Sequence, residues 1–170
     1  MPAGVSAWTP LANITLAGAQ ATVTFSSISN AYADLFFVIG NVKSSTNTAG
    51  INVKFNGDSA ANYYYVYAIG NGGSATTSNQ TGQTSMVLAS NVVPDTTNPG
   101  QILFHLMNYS NTSNVKGVLV RTDFPSTTFS GTQMIAGHWS NNSAVTTVQF
   151  ALQSAATFAA GTTFALYGVS

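Results

Sequence analysis

Gln20-Ala21-Thr22-Val23-Thr24-Phe25-Ser26 places Ala21, Val23 and Phe25 on one side of an extended chain and Thr22 and Thr24 on the other. Side chains on a strand alternate between faces, so a period of two marks a strand with one buried face. Ile51 to Phe55 repeats the pattern, with Ile51, Val53 and Phe55 opposed to Asn52 and Lys54. Asn56-Gly57 follows at once. Both central residues of a type I′ turn need positive φ, which Asn and Gly tolerate, so this dipeptide predicts a hairpin. Tyr63 to Ile69 is aromatic and strand-like, and it stops at Gly70-Asn71-Gly72-Gly73. Further strands are predicted at 11–16, 84–90, 101–109, 115–121, 132–139, 145–153 and 162–169. The apolar run 34–43 loses its alternation in the middle and reads as a strand buried on both faces. Residues 74–83, 91–100 and 124–131 read as loops, the last two containing proline. About ten strands at this spacing, with no amphipathic helix, predict an all-β antiparallel sandwich or barrel. The boundaries are an N-terminal arm, 1–10, and a single domain, 11–170.

The composition agrees. The chain has 170 residues, enough for one domain with a substantial core. Ser, Thr and Asn number 19, 22 and 16 and carry the polarity. Their side chains compete for backbone hydrogen bonds in helices, and Thr suits strands. Only four Lys+Arg and four Asp+Glu are present, for zero net charge. A protein that displaces counterions from nucleic acid needs many more cations, so no nucleic-acid partner is expected. No apolar run approaches the ~18 residues of a membrane-spanning helix, so no membrane partner is expected. A weakly charged surface lacks the repulsion that keeps molecules apart, which points to life within an assembly.

Residues for chemistry are sparse. Cysteine is absent, excluding disulfides and thiolate metal sites. His105 and His138 lie far apart, each within a predicted strand, and zinc needs three or four ligands. Asn56-Gly57-Asp58-Ser59 offers hard oxygen ligands but lacks the spaced carboxylates of a calcium loop. No Gly-x-Ser-x-Gly elbow is present. The aspartates Asp34, Asp58 and Asp95 fall at turns or strand boundaries, where Asp serves structure. No cofactor and no catalysis are expected. Candidate contact residues are aromatic. Tyr63, Tyr65 and Tyr67 share one side of their strand and either fill the interior or meet a partner. Trp8, in the arm, is an anchor for its own domain or for a neighbour.

Several motifs occur in a suggestive order: Ile14-Thr15-Leu16, Ala21 to Ile28, Tyr32 to Leu35, Phe55 to Asp58, Asn62-Tyr63-Tyr64 and Gly70-Asn71-Gly72. They continue with Met107 to Thr112, Lys116 to Arg121, Gly137-His138-Trp139 and Phe158 to Val169. In this order the chain resembles a family of tailed-phage virion structural proteins. The resemblance implies a jelly-roll-like β-sandwich without catalytic residues. For a chain of this size without a fibre shaft, it implies a capsid decoration, or cement, protein on the virion surface. The implied partners are the major capsid protein and further copies of itself, as a homotrimer. The alternative is a receptor- or glycan-binding module of the tail tip or tail fibre.

Overall fold

The computed structural model describes residues 8–47, 49–90, 94–125 and 130–170. Twelve strands and no helix occur among them. They are β1 (Trp8–Thr15), β2 (Thr22–Phe25), β3 (Asp34–Val42), β4 (Ile51–Phe55), β5 (Tyr63–Gly70) and β6 (Ala75–Gln83). After these come β7 (Met86–Ala89), β8 (Gly100–Met107), β9 (Lys116–Phe124), β10 (Gly131–Trp139), β11 (Val148–Leu152) and β12 (Thr163–Val169). They form two sheets, an eight-stranded one in the order β1-β12-β3-β8-β9-β10-β5-β6 and a four-stranded one in the order β2-β11-β4-β7. Every pairing is antiparallel. The fold is the all-β two-sheet sandwich that the alternation predicts.

The inner faces meet through aromatic rings. Phe150 of the small sheet lies 5.3 Å from Phe37 and 5.9 Å from both Phe104 and Phe164 of the large sheet, measured between ring centres. Phe25 reaches Phe37 at 5.3 Å, and Phe55 reaches Trp139 at 5.6 Å. Most of these contacts are edge-to-face, the arrangement that ring quadrupoles favour. All these rings are buried.

Three expectations change. The strand predicted at 11–16 begins at Trp8, so Trp8, Thr9 and Pro10 belong to β1 rather than to an arm, while residues 1–7 lie outside the described ones. Pro10 is tolerated because β1 is an edge strand, and the register slips between Pro10 and Ala12. Residues 75–83, predicted as loop, form β6, a polar edge strand paired only with β5. The Asn56-Gly57 turn forms, with φ of 51° and 68° and a 2.9 Å bond from Asp58 N–H to the Phe55 carbonyl. It is not a hairpin, because β4 lies in the small sheet and β5 in the large one. Asn56 instead ties the turn to the chain before β11. Its Oδ1 accepts from the Thr146 and Thr147 N–H groups at 2.9 and 3.0 Å, and its Nδ2 donates to the Ala144 carbonyl at 2.8 Å.

Candidate interaction surface

The tyrosine strand faces inward. Tyr63 and Tyr65 are buried, and Tyr67 packs half-buried against the core. This corrects the reading of Tyr63, Tyr65 and Tyr67 as an interaction surface: Tyr63 and Tyr65 occupy the interior, and the outer face of β5 carries Tyr64, Val66 and Ala68. Tyr63 Oη accepts from Phe55 N–H at 3.0 Å and donates to the Asp58 carbonyl at 3.2 Å. Burial pushes its hydroxyl up to about 12. The Asp58 carboxylate accepts from Trp139 Nε1 at 2.7 Å, Asn62 Nδ2 at 2.9 Å and Ala60 N–H at 2.8 Å. Burial raises its pKa, but these hydrogen bonds and the charge of Lys54 outweigh that and leave it below the usual carboxylate value. The segment that resembled a calcium loop therefore spends its carboxylate on its own corner.

The histidines also act locally. His105 Nε2 lies 2.8 Å from Asp34 Oδ2, and its ring stacks on Phe36 at 4.0 Å. His138 stacks on Tyr64 at 5.2 Å. No group of three or more His, Cys, Asp or Glu able to hold a metal occurs among the described residues.

The unusual surface is the outer face of the eight-stranded sheet. Val38, Leu103, Leu119, Val66 and Met134 point outward from five of its strands, and each is between 41% and 55% exposed. Register aligns them into two rows across the sheet. One runs Tyr167, Phe36, His105, Leu119, Ala136, Val66. The other runs Ala165, Val38, Leu103, Arg121, Met134, Ala68. Trp8 extends the apolar area at the β1 edge, its ring 4.4 Å from Phe36 and 5.9 Å from Tyr167. The anchor thus rests on its own domain while remaining half exposed. A shallow groove of about 590 Å³ runs between Val66, Asn79, Leu119 and Met134. No other described element covers this face. Scattered apolar side chains are ordinary on a protein surface; apolar side chains aligned in rows across five strands are not.

Of the aromatic contact residues named from the sequence, Trp8 belongs to this band, whereas Tyr63 and Tyr65 are buried. No protein-family model and no curated protein matches the chain.

Proposed function

We propose that the chain is a structural subunit of a phage particle, a capsid decoration protein that binds the outer surface of the head between capsomers of the major capsid protein. The observation that carries this reading is the apolar outer face of the eight-stranded sheet. Such a face suits a permanent contact, because its burial is favourable and few charges need desolvation. The motif order supports the same reading. We also read the strand order, β1-β12-β3-β8 facing β2-β11-β4-β7, as that of a jelly roll, with β5-β6 and β9-β10 as inserted hairpins that widen one sheet. The work is mechanical. Each copy adds contact area between neighbouring shell subunits, and many copies on a symmetric shell add by multivalency. The test mixes the purified protein with shells that lack it. Binding of hundreds of copies per shell, resistant to salt and accompanied by a higher temperature of shell disruption, supports the reading. Absence of binding, or binding without a gain in stability, overturns it.

The stacked Tyr64–His138 pair beside Asn79 and Gln80 favours a second reading, a glycan-binding tail module. Aromatic faces next to amides suit sugar rings. Binding on a glycan array that is lost in Tyr64→Ala, with a few dozen copies or fewer per particle, supports it over decoration.

A further inference from the structure

We propose that the partner of this outer face is a second copy of the chain, packed face to face, with Arg121 of each copy meeting Asp123 of the other. This rests on the reading of the chain as a subunit of a permanent assembly, and assigns this face to the contact between copies, which leaves the shell contact to the other surfaces of the pair. Two observations carry it.

The first is size. Eight strands about 4.8 Å apart make the face roughly 34 Å wide, and seven residues at about 3.3 Å make it roughly 23 Å tall. That gives on the order of 800 Å², about what each partner contributes to a stable interface.

The second is charge. Arg121 is exposed at the middle of a row, between Leu103 and Met134 in the register. It makes no ion pair with another described residue. Asp123 lies two residues along the same strand, on the same face, and among the described residues its carboxylate has a single 3.4 Å contact, with the Thr132 hydroxyl. The remaining acid on the face, Asp34, is engaged by His105. One cation and one anion side by side form a self-complementary set. A two-fold axis in the interface brings Arg121 against Asp123 and Asp123 against Arg121, as an isologous contact requires. A surface with a single sign of charge would call for a different partner.

The experiment measures the mass of the full chain by sedimentation and light scattering. The wild type is expected at twice the monomer mass, as one closed two-fold contact requires, and a trimer overturns the proposal. Arg121→Asp and Asp123→Arg, each with wild-type circular dichroism, are expected at the monomer mass, because like charges then face each other. Mixed in equal amounts, the two variants are expected to regain the higher mass. Leu119→Ser, which changes no charge, checks that the loss comes from this face. A monomeric wild type at tens of micromolar overturns the proposal, as do an oligomer that both charge variants leave intact and a mixture that stays monomeric. In each of those cases shell binding by the same protein is still measurable, so the decoration reading fails or survives separately.

Discussion

Tyr63 shows how a polar atom is carried into this interior. Its ring fills space beside Phe55, and its hydroxyl closes two backbone groups that the turn after β4 would otherwise strand. Tyr63→Phe keeps the ring and leaves the buried Phe55 N–H without its acceptor. A loss of about 1–3 kcal/mol is expected in urea unfolding at pH 7, the cost of an unsatisfied buried donor. The pH dependence has a definite sign. Burial raises the folded hydroxyl from 10 to about 12, so its contribution is complete below pH 10 and is lost as pH rises toward 12. The stability gap between wild type and Tyr63→Phe should therefore shrink across that window. Tyr65 and Tyr109, also raised by burial, are present in both proteins and cancel. A gap that stays constant from pH 9 to 12 would contradict the buried hydroxyl.

Strands were legible wherever one face is apolar and the other polar, as in β2 and β4. They were harder to interpret where both faces are apolar. In β3 the loss of alternation predicts burial on both sides, yet Val38 points to the surface. Periodicity reports which residues are apolar, not whether anything lies against them, so an interface strand and a core strand look alike. β5 shows the same limit: the more aromatic parity, Tyr63-Tyr65-Tyr67, turns inward, while the other parity, Tyr64-Val66-Ala68, faces outward. β6 has almost no apolar residue and forms by pairing alone, and a polar edge of this kind discourages further strand addition. The Asn56-Gly57 turn was legible as a turn but not as a crossing between sheets, because partner choice depends on distant residues such as Thr146 and Thr147. One element-level contact is testable. A Cβ on Gly137 of β10 would lie 2.3 Å from the Tyr64 carbonyl oxygen and 2.5 Å from Tyr65 Cβ on β5. Gly137→Ala must push those strands apart, and a loss of about 1–3 kcal/mol in denaturant midpoint measurements is expected from such overpacking. Gly73→Ala, where a Cβ meets nothing within 4 Å, serves as the control and should change stability little.

At the scale of the molecule, the two sheets depend on each other unequally. The large sheet has eight strands and a second apolar face to offer a partner. The small sheet has four short strands, and its aromatic side chains pack against those of the large one. The chain also passes repeatedly between the sheets, so neither is a contiguous segment able to fold first on its own. Phe150 lies at the junction, its ring among Phe25, Phe37, Phe104 and Phe164. Phe150→Ala removes a fully buried ring from that cluster, and a loss of about 3–5 kcal/mol is expected. If the sheets form one cooperative unit, the variant still unfolds in a single transition, and far-ultraviolet and near-ultraviolet circular dichroism change together at the lowered midpoint. A sandwich built from separable layers would instead lose its aromatic signal first and keep its strand signal. Two distinct midpoints in the variant would show that the large sheet stands without the small one.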